Sequence, residues 1–236
     1  MKKIIFLAMV VGLYGCKEDG TGLQKNVINT GFDKCKNYLS TSLKSPSSLN
    51  VNEATILVQD PKVEDVSNVF GNIIVKDGKI GSITRDDKTR FREMLVVISY
   101  EAQNSFGVYL GGTYQCQYLF ELKNDEQSPK PLNTYLIKLK SDGEDINLGV
   151  HIPITDFTGS NITLNKTIKR VIGTSESKFT ALDEKMYDEI IKQKEYKDQE
   201  IEAERIRKSW DGLDAETAAT EAAIVAVDVA AEISGR

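Results

Sequence analysis

Residues 114–122 read Tyr-Gln-Cys-Gln-Tyr-Leu-Phe-Glu-Leu, and this alternation constrains the fold more than any other feature of the chain. Successive side chains of a strand point to opposite faces. Tyr114, Cys116, Tyr118 and Phe120 therefore share one face, with Gln115, Gln117, Leu119 and Glu121 on the other. An aromatic face needs a cover, and the sequence supplies one upstream. Over about 23–43, Val27, Ile28, Phe32, Cys35, Tyr38, Leu39 and Leu43 recur at intervals near three and four, which draws one apolar stripe along a helix. Ser45-Pro46 ends it, because the residue before proline avoids the α region. Cys35 lies on the stripe that would meet a sheet, and Cys116 faces the same way as the aromatics. The expected class is α+β, with an N-terminal helix on an antiparallel sheet.

Other strands are expected at 54–58, 72–75, 80–83 and 92–103, the last with Leu95-Val-Val-Ile98 at its heart. Lys76-Asp77-Gly78-Lys79 carries the Asp-Gly signal of a tight hairpin. Gly107 to Gly112 reads as a long loop joining strands 92–103 and 114–122 into an antiparallel pair. Pro129-Lys-Pro131 is a natural break, beyond which 134–139, 146–153 and 162–171 are candidate strands. They form an additional β region over 129–178, read here as a small second lobe beside an α+β domain at 24–128. From Phe179 the chain changes character, with no proline and no glycine until Gly212. Leu182, Met186, Ile190 and Ile201 suggest a stripe, followed by Ile206, Trp210 and Leu213 and then by alanines at 219, 222, 223, 226 and 230. Residues 179–236 are an acidic, then alanine-rich helical tail with a break expected near Gly212. Its stripe fades between Lys192 and Arg205, which implies solvent on all sides there.

The N-terminus points to export. Lys2 and Lys3 precede eleven uncharged residues, Ile4 to Tyr14. At about 1.5 Å per residue this run spans roughly half a hydrocarbon core, too short for an anchor and suited to a secretory leader over 1–15. Leu13-Tyr14-Gly15-Cys16 resembles the lipobox of bacterial lipoproteins, from which it departs only at Tyr14. The resemblance implies cleavage before Cys16 and acylation of its thiol, with 16–23 as a polar spacer. Lys17, in place of the aspartate that retains lipoproteins at the inner membrane, implies an outer-membrane anchor facing the periplasm. Of three cysteines, lipidation then leaves Cys35 and Cys116 in an oxidising space, and a bridge between them is expected. Closing that loop would stabilise the fold by roughly 4 kcal/mol in the chain-entropy model.

Charge and motifs narrow the function. Residues 179–236 carry 15 acidic against 8 basic side chains, and no block is basic enough for a nucleic-acid partner. No P-loop, G-x-S-x-G, G-x-G-x-x-G or H-E-x-x-H is present. The sole histidine, His151 in Gly149-Val-His-Ile-Pro153, reads as structural, and Asp86-Asp87 and Asp125-Glu126 read as solvated turn residues. No cofactor, metal site or catalytic residue is assigned. Leu43-Lys-Ser-Pro-Ser-Ser48, then the segment from Val97 to Gly107 with Ala102-Gln-Asn-Ser-Phe-Gly107 at its end, then Gln115-Cys116, is similar to a pattern in small, uncharacterised envelope proteins of bacteria and phages. That resemblance, over about 24–123, supports the fold and the disulfide. Gln103, Asn104 and Phe106 form either a recognition loop or a turn with Phe106 closing the core. The expected function is a membrane-tethered binding or structural protein with a protein partner, one version being a phage exclusion lipoprotein. Self-association through the C-terminal helix is a third reading. The rival from another class is a hydrolase of an envelope polymer, which would need facing carboxylates or a carboxylate beside His151.

Overall fold

A computed structural model describes residues 22–76, 79–80, 88–123, 130–157, 167–176 and 178–234; in the last helix, side chains are described to Trp210 and at Thr217 and Thr220. The leader, Cys16, most of the spacer, the Asp77-Gly78 turn and the Asp86-Asp87 and Asp125-Glu126 pairs lie outside these residues.

Two long strands carry the architecture. β4 (Arg90–Gln103) and β5 (Tyr109–Leu122) pair antiparallel over fourteen positions, from Arg90 opposite Leu122 to Gln103 opposite Tyr109. β1 (Asn50–Gln59) flanks β4, and β6 (Pro131–Ser141) flanks β5, both antiparallel. β9 (Ile168–Gly173) lies outside β1, while β7 (Glu144–Asp145) and β8 (Ile152–Pro153) both pair with β6. The seven strands form one sheet, so the described strands of 131–173 extend the first sheet. The sheet is mixed rather than antiparallel, because β9 runs parallel to β1.

Both faces are covered at one end of the sheet. On the first, α1 (Lys25–Ser42) lays Val27, Ile28, Phe32, Cys35 and Leu39 onto Ile56, Met94, Val96, Tyr114, Tyr118 and Phe120. Here Cys35 and Cys116, both fully buried, form the expected disulfide with Cα atoms 5.8 Å apart. The Tyr118 hydroxyl donates to the Gly31 carbonyl at 3.1 Å, a second tie between the helix and β5.

On the opposite face, α2 (Val63–Ile74) and the start of α3 (Ala181–Ser234) cover Phe91, Leu119 and Ile137. The Phe70 ring meets Phe91 at 5.0 Å and the edge of Tyr135 at 5.3 Å. α2 corrects the strand expected at 72–75, of which only Val75–Lys76 (β2) is extended, paired with Lys79–Ile80 (β3). The run Ile73-Ile74-Val75 looks like a strand by itself. The buried set, however, is Val66, Phe70, Gly71 and Ile74, while Asn68 and Asn72, which a strand would place on the same face as Val66, Phe70 and Ile74, are exposed; spacings of three and four with those gaps fit a helix. Glu64 and Asp65 in the first turn suit a helix N-terminus.

α3 is one helix through Gly212, without the expected break. Thr180 and Asp183 build a capping box at its start. The Asp183 carboxylate accepts from the Thr180 N–H at 2.8 Å and hydroxyl at 3.1 Å, and the Leu182 N–H donates to the Thr180 hydroxyl at 3.2 Å. This cap turns Asp183, Met186, Tyr187 and Ile190 inward; Met186 and Ile190 of the expected stripe are buried, while Leu182 is 64% exposed. Arg92 of β4, itself buried, donates to both Asp183 oxygens (2.5 and 3.2 Å) and to the carbonyls of Glu176 and Lys178. The Tyr187 hydroxyl donates to the Thr89 carbonyl at 2.7 Å. Every described side chain of α3 from Glu195 onward is exposed, matching the faded stripe.

Candidate functional site

The β4–β5 ribbon outruns its neighbours. β6 begins to pair at Tyr114 and β1 at Glu101, so the tip from Ala102 to Thr113 extends past both. A turn over 104–108 closes it, shorter than the expected 107–112 loop because Gly111 and Gly112 belong to β5. Gly112 stands opposite Tyr100, and a Cβ there would lie 2.8 Å from the Tyr100 hydroxyl.

The turn is held by Asn104. Its side-chain oxygen accepts from the Phe106 N–H at 2.9 Å and the Val108 N–H at 3.1 Å, while its own N–H donates to the Val108 carbonyl at 2.9 Å. Gly107 takes φ +76°, a left-handed conformation that costs glycine little. Gln103 is the last residue of β4, half-buried, and its N–H donates to the Ser48 hydroxyl at 2.8 Å. Ser48 closes the short 3-10 turn Pro46–Ser48 after α1. The Pro-Ser-Ser turn and the Ala-Gln-Asn strand end, 55 residues apart at this bond, therefore meet at the base of the tip.

Phe106 does not close the core. It is 89% exposed, and Val108, Tyr109 and Leu110 beside it are also exposed. The three expected residues thus divide: Gln103 and Asn104 shape the tip, and Phe106 is presented by it. Val108, Tyr109 and Leu110 form an apolar run in the sequence, and Tyr109 and Leu110 belong to β5 rather than to the expected loop. No residue from Gln103 to Thr113 carries a charge. Such a surface suits contact with another protein, and within the tip no base or paired carboxylate is positioned for acid–base chemistry.

A second exposed apolar segment follows β7. Ile146, Leu148 and Val150 project from a loop, not the expected strand, tied to β6 by Asn147. The Asn147 side chain accepts from the Leu139 N–H at 3.1 Å and donates to the carbonyls of Ile137 at 3.1 Å and Val150 at 2.8 Å. His151 sits half-buried at its end.

Elsewhere, Glu93 of β4 is a carboxylate whose titration is displaced. Burial holds it above the ordinary glutamate range, opposed by the side chains of Gln59 and Gln117. Gln59 donates to it at 2.9 Å, a structural tie between β1 and β4. Burial likewise pushes the Tyr118 hydroxyl well above its usual value. Among the described residues no group of three or more His, Cys, Asp or Glu is placed to hold a metal, and no helix is long and apolar enough to cross a membrane. No protein-family model, curated protein or solved structure matches this chain.

Proposed function

We propose that the protein is a lipid-tethered envelope protein that binds another protein through the tip of its β4–β5 ribbon. The carrying observation is how far Phe106 and its neighbours lie from Gly22, the described residue nearest Cys16. Gly22, the first described residue, lies against Glu176, whose carbonyl accepts from Arg92 near the start of β4. From Arg92 to Gln103 an extended strand rises about 36 Å. A lipid on Cys16, six residues before Gly22, would therefore hold the Arg92 end near the bilayer and direct the tip away from it. Anchoring follows from the lipobox-like Leu13-Tyr14-Gly15-Cys16, and the buried disulfide suits an oxidising compartment such as the periplasm. An outer-membrane receptor as the partner would make the protein a phage exclusion factor. The test is photo-crosslinking in cells from a residue replacing Phe106. The reading expects one dominant adduct that a crosslinker replacing Glu53, on the exposed edge of β1, does not give. Crosslinking to lipid, or identical products from both positions, would refute it.

A further inference from the structure

Every described side chain of α3 from Glu195 to Trp210 is exposed. Although the broad apolar stripe fades here, three of the four large apolar residues in this stretch, Tyr196, Ile206 and Trp210, fall on one line, with Ile201 off it. Tyr196 and Trp210, 69% and 63% exposed, stand two seven-residue repeats apart, with Ala203 midway. Gln199 and Ile206 fill the alternate positions, so the line advances by three and four residues in turn. The sequence continues the spacing through Leu213, Thr217, Thr220, Ile224 and Val227, all within the helix, and Thr217 and Thr220 are exposed. A repeat of 3.5 residues per turn marks the seam of a coiled coil, and 196–227 spans about 47 Å of helix. Such a seam in water has no reason to be apolar unless another helix covers it.

Charge identifies the cover. The positions flanking a seam set partner choice. Here they hold Glu195, Glu200, Glu202, Asp214, Glu216, Glu221 and Asp228, against the single basic residue Arg207. Glu202 does reach Arg205 at 3.0 Å, but both are exposed and such a pair is worth little. A second copy in parallel would set Glu195 against Glu200 and Glu216 against Glu221, with only Glu202 and Arg207 attracting. An antiparallel copy would bring mostly acid against acid as well. An acidic bilayer surface would repel the same flanks.

We propose that α3 over 196–227 is a docking rail for a basic amphipathic helix of another protein, with lysines or arginines bordering its apolar stripe. The partner helix would cover Tyr196, Ile206 and Trp210 and pair with the carboxylates on both sides. Gln199, Thr217 and Thr220 within the seam would weaken the pairing and fix its register. This interaction needs neither the ribbon tip nor the lipid.

Trp210 is the only tryptophan of the chain, so its emission reports directly on the seam. The purified full chain is titrated with a synthetic helix of about five heptads, Leu at the seam and Lys at the flanks, and in parallel with the same helix bearing Glu at the flanks. The expected result is a saturable blue shift with the Lys helix, at least about tenfold tighter than with the Glu helix and weakened at about 0.5 M salt. Reversing Glu195, Glu200, Glu202 and Glu216 to Lys should invert the preference, and Ile206→Asp should abolish the shift with either helix. Glu195, Glu200, Glu202 and Ile206 are exposed, and far-ultraviolet circular dichroism checks that the helix survives; if the reversal loses it, Ile206→Asp alone decides. The proposal is overturned by equal affinity for the two helices or by no shift with the Lys helix. It is also overturned by a concentration-dependent shift of the chain alone, which would seat a second copy on the seam, or by a shift produced only with phosphatidylcholine–phosphatidylglycerol vesicles.

Discussion

Replacing Cys35 and Cys116 by alanine removes the one covalent tie between α1 and the sheet, and the size of the loss follows from the loop it opens. The bridge joins residues 81 apart. In the chain-entropy model a closure of that length withdraws about 4 kcal/mol of freedom from the unfolded chain. Both sulfurs are fully buried, so the double variant also loses packing between the α1 stripe and Tyr114, Tyr118 and Phe120. For a domain of this size, about 4 kcal/mol lowers the melting temperature by about 10 °C. With a urea slope of about 2 kcal/mol per molar, the midpoint falls by about 2 M. The assay is urea unfolding of the chain followed by circular dichroism, oxidised and after reduction, with thiol labelling to confirm that the bond is open. Reduction should also steepen the slope, because the unlinked unfolded chain exposes more surface. If the fully reduced protein unfolds at the same midpoint and slope as the oxidised one, the bridge does not constrain the unfolded chain and the reasoning fails.

Three further outcomes rest on particular side chains. Asp183→Ala takes from buried Arg92 its closest carboxylate and leaves it only the more exposed Asp60 at 3.4 Å; it should cost about 3 kcal/mol by calorimetry, whereas Thr180→Ala, which removes part of the cap, should cost only about 1 kcal/mol. Asn104→Ala should destabilise the ribbon turn by about 1–2 kcal/mol, while Phe106→Ser should leave the melting temperature within about a degree and abolish the adduct formed from a crosslinker that replaces the neighbouring Val108. Glu93 titrates higher in the folded protein than in the unfolded chain, so its ionisation opposes folding. That cost is complete above the folded pKa and vanishes below the unfolded one. Glu93→Gln should therefore stabilise the protein at neutral pH, with an advantage that shrinks in acid; an advantage that grows in acid would reverse the assignment.

Much of the fold is legible in the sequence because its signals are local and long. The alternation from Tyr114 to Leu122 and the stripe from Val27 to Leu43 name the two layers, and the cysteines on each lie where the layers meet. α2 is less legible. Its four buried residues span little more than two turns, and a β-branched run at its end imitates a strand. The parallel pairing of β9 with β1 depends on contacts more than a hundred residues apart, which no local pattern encodes. The capping box was readable as Thr180-Ala-Leu-Asp183, but only Arg92 reaching across from β4 makes it decide which face of α3 is buried. At the tip, Asn104 and Gly107 announce a turn by their chemistry. Whether Phe106 points inward or outward depends on how far β4 and β5 extend past β1 and β6, and sequence spacing does not fix that length.

The tether is central to the proposed function, since it would orient the ribbon and set the redox environment of Cys35 and Cys116. Metabolic labelling with a clickable palmitate analogue tests it directly in cells expressing the wild type or Cys16→Ala. The account predicts a labelled wild-type band in the membrane fraction and an unlabelled variant. A wild type that stays unlabelled in the cytosol, or label that survives in Cys16→Ala, would contradict it.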